Sequence, residues 1–238
     1  MRPLGEALAA RGFRVDGVRL PGHGTSVEDL ASTRWTDWFE EVRRAAERLT
    51  AETGAIAAVG MSLGALLALH LAATHPSPAR ALVLCGTPID SRALRVRILP
   101  LLARVPWFAA RWATIPKRGG GPDIADPEAR AASTSYRAMP LAGVLELLEL
   151  QRVVRAELGR VRQPALLLHG RHDHSAPVDN MVRLRQRLGS EHVEAHDLER
   201  SWHVVTLDYD RDEVARRAED FLERVERGVL SADPARRR

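Results

Sequence analysis

The sequence predicts an α/β chain built on a mostly parallel, doubly wound sheet, and two observations carry that prediction. Short apolar runs alternate with helical patterns along most of the 238 residues, which implies parallel strands joined by crossover helices. The stretch Gly60-Met61-Ser62-Leu63-Gly64 lies between an apolar strand-like run at 55–59 and an apolar helix-like run at 65–73. That context marks a nucleophile elbow, in which a serine sits on a sharp strand-to-helix turn. Glycines at 60 and 64 suit it, because the turn needs small residues where strand and helix approach. The length fits one domain with an inserted subdomain.

In chain order, residues 2–10 are helix-like and 15–20 read as a strand. Trp38, Val42, Ala45 and Leu49 follow helical spacing behind Thr36, the expected N-cap. Strands follow at 55–59 and 82–85, with the helix at 65–73 between them. Residues 87–159 break the rhythm, with helix-like pieces, several prolines and the loop Lys117-Arg118-Gly119-Gly120-Gly121-Pro122 in place of a clear strand. This stretch reads as an inserted cap, leaving a core of 1–86 and 160–238. The rhythm resumes with strands at 165–169 and, less clearly, 193–198. A last helix carries Val214, Ala218, Phe221, Leu222 and Val225 on one stripe.

Composition excludes several classes. The net charge is +4, and almost all the basic residues are arginine. No basic block interleaved with aromatics, as a nucleic-acid surface requires, stands out, and the cluster Arg236 to Arg238 ends the chain. No nucleic-acid partner is expected. Cys85 is the only cysteine and lies in an apolar run, so it reads as a buried strand residue with no intramolecular disulfide. No run has the roughly 18 apolar residues of a membrane span and no apolar leader follows Arg2. A soluble cytoplasmic protein without stable membrane insertion is the expectation; oligomeric state is left open.

A serine hydroxyl becomes a nucleophile when a histidine takes its proton, and that histidine needs a carboxylate to hold its tautomer. After an elbow of this kind the acid follows a late strand and the histidine follows the last one. Asp173 and His203 satisfy that order. Asp173 lies in the polar loop His169-Gly170-Arg171-His172-Asp173-His174-Ser175-Ala176-Pro177, and His203 lies in Ser201-Trp202-His203-Val204-Val205, before the final helix. His172 and His174 read as polar loop groups, and His23, in the turn Pro21-Gly22-His23-Gly24, as a structural hydrogen-bonding residue. No H-E-x-x-H or spaced cysteine set accompanies the 172/174 pair, so no metal and no cofactor are expected.

Over nearly its whole length the chain resembles the bacterial carboxylesterase and monoacylglycerol lipase branch of the α/β-hydrolases, grouped with the serine-aminopeptidase-like hydrolases and lysophospholipases. The carriers are Leu20-Pro21-Gly22-His23-Gly24-Thr25, Arg34-Trp35-Thr36-Asp37-Trp38, the elbow, the Asp173 loop, and the run Ser201-Trp202-His203-Val204-Val205-Thr206-Leu207-Asp208. The resemblance implies an α/β-hydrolase fold with a helical cap and a serine hydrolase acting on carboxylic esters. It assigns Ser62 as nucleophile, His203 as base and then acid, Asp173 as orienting carboxylate, and the Leu63 backbone N–H as an oxyanion donor. A small ester with an apolar acyl chain is the implied substrate. Leu99, Leu101, Leu102, Val105, Trp107, Phe108 and Trp112 are expected either to line an acyl pocket or, the commoner case, to pack the cap on the core. The same three residues also suit a thioesterase, a small-peptide hydrolase or a C–C bond hydrolase. A non-catalytic ligand-binding relative is the reading from another class.

Members of that family begin with strands before the first helix, and a His-Gly-aromatic turn after one of them supplies a second oxyanion N–H. Neither precedes the helix-like segment at 2–10. The N-terminal strands are therefore expected to be missing, with a natural start upstream of Met1. One donor lost typically lowers turnover by about 10² to 10³.

Overall fold

The computed structural model describes residues 1–76, 78–91, 94–116 and 121–230. The loop residues 117–120 and the cluster Arg236 to Arg238 lie outside them. Four strands, β1 (Ile56–Met61), β2 (Ala79–Cys85), β5 (Ala165–Gly170) and β6 (Val193–Leu198), form one parallel sheet in the order β1-β2-β5-β6. The register sets Met61 against Cys85, Cys85 against Leu168, and Gly170 against Leu198, so the carboxyl ends of the strands are level. Every residue of β5 is buried, as is β2 apart from Arg80. That is why both read as continuous apolar runs.

Alternate strand residues feed two cores, as the two-residue period of a strand requires. Leu82, Leu84, Ala165 and Leu167 face α3 (Trp35–Thr53), α4 (Leu63–Thr74) and α8 (Leu141–Glu157), packing with Trp38, Leu66, Leu69, Leu150 and Val154. Ala81, Val83, Cys85, Leu166 and Leu168 face α1 (Arg2–Ala10) and α10 (Arg211–Glu226), packing with Leu4, Leu8, Val214, Phe221 and Leu222. The sheet is thus covered on both faces. Helix α4 is apolar all round and buried from Ala65 to Ala72, as a helix enclosed by sheet and neighbouring helices must be. Cys85 is fully buried, and burial pushes its thiol up to about 12.

The insertion between β2 and β5 holds α5 (Leu94–Leu102), α6 (Pro106–Arg111), β3 (Thr114–Pro116), α7 (Pro127–Ala132), β4 (Ala138–Pro140) and α8. β3 and β4 pair antiparallel through Ile115 and Met139, a small two-stranded sheet in a stretch expected to lack a clear strand. α8 ties the insertion down, placing Leu150 and Val154 in the main core. The Gln151 side-chain N–H also donates to the Pro88 carbonyl at 2.7 Å.

Three local expectations are corrected. Residues 15–20 form no strand; Val15 and Val18 are exposed. A strand persists only where its N–H and C=O groups find a ladder, and among the described residues nothing pairs with the outer edge of β1. The β-branched residues there have no neighbouring strand to pack beside. Helix α3 begins one residue before Thr36. The Arg34 N–H donates to the Asp37 carboxylate at 2.8 Å and the Trp35 N–H to Glu146 at 3.0 Å, satisfying orphan donors that Thr36 was expected to serve. The cap residues Leu101, Leu102, Val105, Trp107 and Trp112 are exposed and pack on no core. Among the described residues, no helix is long and apolar enough to cross a membrane.

Phe221 is fully buried where α10 meets β2 and β5, so Phe221→Ala is expected to lower the unfolding free energy by about 3–5 kcal/mol. Urea titration of both proteins measures it; a loss below about 1 kcal/mol would mean that α10 is not held by this side chain.

Candidate active site

The strand β1 ends in Gly60 and Met61, and α4 begins at Leu63, so Ser62 must reverse the chain within one residue. It does so at φ 53°, the one positive φ of a non-glycine residue among those described. Such a conformation costs on the order of 1–3 kcal/mol and persists only where the surroundings over-determine it. Here the Ser62 N–H donates to the Cys85 carbonyl at 2.9 Å, continuing the β1–β2 ladder into the turn. A Cβ on Gly60 would lie 2.3 Å from the Gly64 carbonyl oxygen, so position 60 must be glycine. Gly64 differs from expectation. A Cβ there would meet nothing within 4 Å, because it is the Gly64 backbone, not its side-chain position, that presses on the strand.

The structure brings the three expected residues together. His203 Nε2 accepts from the Ser62 hydroxyl at 2.9 Å, and His203 Nδ1 donates to Asp173 Oδ2 at 2.7 Å. The other oxygen, Oδ1, accepts the backbone N–H groups of Ser175 and Ala176 at 2.8 and 2.6 Å. Burial works to raise the Asp173 pKa, but hydrogen bonds from His169, His203 and the Ala176 N–H outweigh it and hold the carboxyl below its ordinary range. Asp173 is therefore a fixed anion facing the imidazole. Leu63 is the first residue of α4, where an N–H has no partner within its own helix.

Several contributors escaped the sequence reading. Gly86 and Gly170, at the ends of β2 and β5, let the histidine loop lie against the sheet. A Cβ on Gly170 would lie 1.9 Å from the Trp202 carbonyl oxygen, and one on Gly86 would lie 3.1 to 3.3 Å from His203. Asp208, fully buried, accepts from the N–H groups of Trp202, Ala125 and Asp126 at 2.8 to 2.9 Å. Asp123 accepts from the backbone and ring of His174 and from the Ser175 hydroxyl. One stretch of the insertion thus clasps both the histidine loop and the acid loop. His23 Nδ1 bonds the Pro21 carbonyl at 3.0 Å, the structural role expected of it, and its ring meets Trp38 edge-on.

Ser62 and His203 open into a cleft whose wall includes Leu63, Leu147, Met139, Val204, Tyr136 and Arg130. The cleft spans ≈ 2720 Å³ because it continues past the elbow to the free edge of β1, between that strand and residues 13–18. None of Leu99, Leu101, Leu102, Val105, Trp107, Phe108 and Trp112 borders it.

A parallel sheet covered on both faces, a strained serine between strand and helix, and Ser-His-Asp contacts in that order together define an α/β-hydrolase. Residues 1–210 match the family described as serine aminopeptidase, S33, and the chain belongs to it. It is 33% identical over 229 residues to a thermostable monoacylglycerol lipase of Bacillus sp. (strain H-257), covering 93% of this chain and 84% of that one. To a carboxylesterase of Bacillus subtilis (strain 168) it is 26% identical over 227 residues, covering 95% and 87%. A solved structure from work on the metagenome-derived lipolytic enzymes LipS and LipT superposes with a TM-score of 0.85 at 27% identity, covering 94% of this chain and 87% of that one.

Because the folded-state pKa of Asp173 is depressed, the stability its charge contributes is present above the ordinary aspartate value of about 4 and disappears as pH falls toward the lowered one. The stability gap between wild type and Asp173→Asn is accordingly expected to be widest near neutrality and to shrink on acidification. Urea midpoints of both proteins across that range test it; a gap independent of pH would show that the carboxylate is not held ionised.

Proposed function

We propose that the chain hydrolyses carboxylic esters bearing an apolar acyl chain, in the manner of a carboxylesterase or monoacylglycerol lipase, through an acyl-enzyme on Ser62. The observation that carries the reading is the continuous hydrogen-bonded line from the Ser62 hydroxyl through His203 to Asp173. His203 Nε2 takes the hydroxyl proton as Oγ attacks the ester carbonyl, and Asp173 stabilises the imidazolium without itself accepting the proton. The Leu63 N–H, at the positive end of α4, faces the negative charge that develops on the carbonyl oxygen. His203 then protonates the departing alkoxide. In the second half-reaction it removes a proton from water, which attacks the acyl carbon and releases the acid and Ser62.

Leu63, Leu147, Met139 and Val204, apolar residues in the wall of the same cleft, support an acyl substituent. Its likeness to the Bacillus monoacylglycerol lipase and carboxylesterase supports the ester class. The insertion, with proposed boundaries near 87 and 159, acts as a cap over the cleft and would select among substrates. No step in this scheme calls for a metal or an organic cofactor.

Hydrolysis of p-nitrophenyl esters from acetate to long acyl chains is the direct test. The wild type is expected to prefer chains longer than acetate, and Ser62→Ala to lose at least about 10³-fold in kcat/KM. Equal turnover by both proteins would overturn the assignment of Ser62.

A further inference from the structure

Half of the exposed large hydrophobic residues fall within one short stretch of the insertion. Of twelve among the described residues, six are Ile98, Leu101, Leu102, Val105, Trp107 and Trp112; Trp107 is 71% exposed and Leu101 63%. Scattered surface leucines need no explanation, but a concentration of this kind marks an interaction site. No residue from 98 to 116 is buried, so neither the core nor the Ser62 cleft accounts for these side chains.

The charge of the same stretch is equally one-sided. Residues 91–122 contain seven Arg and Lys and no Asp or Glu. The whole chain is only +4, so everything outside this stretch is net acidic. Trp107, Phe108 and Trp112 lie between Arg104, Arg111 and Lys117. Elsewhere the arginines are mostly paired, as Arg43 is with Glu40, Arg152 with Glu149 and Arg224 with Glu194. Arg104 and Arg111 are exposed, and no carboxylate of the described residues lies within ion-pair distance of either. The Arg111 guanidinium rests instead over the Trp112 ring, 5.2 Å from its centroid.

We propose that the α5–α6 segment docks this protein on an anionic phospholipid surface. Aliphatic and tryptophan side chains enter the headgroup boundary, and the arginines meet lipid phosphates, the two contributions that hold an interfacial helix in the membrane plane. Four of the six exposed apolar residues, Ile98, Leu101, Leu102 and Val105, are aliphatic and offer no ring on which a base would stack, which favours lipid over nucleic acid as the anionic partner. The geometry has a consequence for the cleft. Immediately after α6, β3 pairs with β4, whose Met139 lines the wall of the Ser62 site. A docked cap therefore holds that wall close to the lipid from which an acyl ester would come. The benefit to catalysis rests on the proposed ester hydrolysis, whereas binding to the surface does not.

Sedimentation with sucrose-loaded vesicles tests the proposal on the full chain. Phosphatidylcholine vesicles are compared with mixed phosphatidylcholine–phosphatidylglycerol vesicles, at low and high salt, using wild type, Arg104→Glu/Arg111→Glu and Leu101→Ser/Trp107→Ser. Wild type is expected to partition onto the mixed vesicles, more weakly in high salt. The arginine variant is expected to lose at least roughly thirtyfold in partitioning, the loss for two arginines removed from the surface, and the apolar variant to lose binding as well. Unchanged circular dichroism and unchanged turnover of a water-soluble p-nitrophenyl ester establish that the variants are folded; should one unfold, the other carries the test. Absence of wild-type binding to the mixed vesicles would overturn the proposal, as would equal binding by a folded variant. Retention of duplex DNA in a mobility-shift assay without vesicle binding would assign the patch to nucleic acid, and a dimer broken by Leu101→Ser/Trp107→Ser without vesicle binding would assign it to a second copy. If Ser62 proves catalytically idle, vesicle binding is still read independently.

Discussion

The close approach of the Gly60 backbone to that of Gly64 is the constraint on which the site depends. With 2.3 Å between a would-be Cβ and the Gly64 oxygen, no side chain fits between strand and helix. The turn between them must then place Ser62 at positive φ. Its cost of order 1–3 kcal/mol is borne by α4, buried from Ala65 to Ala72, on one side and by the β1–β2 ladder on the other. A hydroxyl held this way stands clear of both elements, where a base can reach it from outside the sheet.

His203 reaches it for a related reason. The histidine loop crosses the ends of β2 and β5 where Gly86 and Gly170 leave room, and Gly170 tolerates no side chain at all. Asp208 then pins the loop to residues 125 and 126 of the insertion, while Asp123 of the same insertion holds His174 and Ser175 beside the acid. The loops that carry Asp173 and His203 are therefore both braced by one segment of the insertion. A buried carboxylate accepting several backbone N–H groups makes such a brace directional as well as strong. The insertion thus shapes the loops that carry Asp173 and His203.

Much of this was legible in the sequence, for reasons that differ by element. β2 and β5 are buried on both faces and appear as plain apolar runs, and the α10 stripe of Val214, Ala218, Phe221 and Leu222 turned out to be its buried face. Ser62, Asp173 and His203 were singled out by motif and chain order, and the structure sets them in one hydrogen-bonded line. Residues 15–20 misled because local β propensity says nothing about whether a ladder partner exists, and none adjoins β1 among the described residues. Thr36 misled because a side chain three residues beyond the true cap, Asp37, and a distant one, Glu146, serve the first turn of α3. The braces at Gly86, Asp123 and Asp208 carry no local signature; each acts on a residue far away in the chain. The apolar residues of α5 and α6 were misjudged because such residues at helical spacing usually face a core, and here Leu101, Leu102 and Trp107 are exposed. Their charge pattern was the cue: an acid-free stretch from 91 to 122.

The central claim, that the strained turn and the histidine together make the Ser62 oxygen a nucleophile, is tested most directly by active-site labelling. The protein and its His203→Ala variant are treated with a fluorophosphonate, and the modified residue is located by peptide mass spectrometry. The account predicts stoichiometric modification of Ser62 alone in the wild type and labelling slowed by orders of magnitude in His203→Ala. An unlabelled Ser62 in folded wild-type protein, or equal labelling rates in the two proteins, would contradict it.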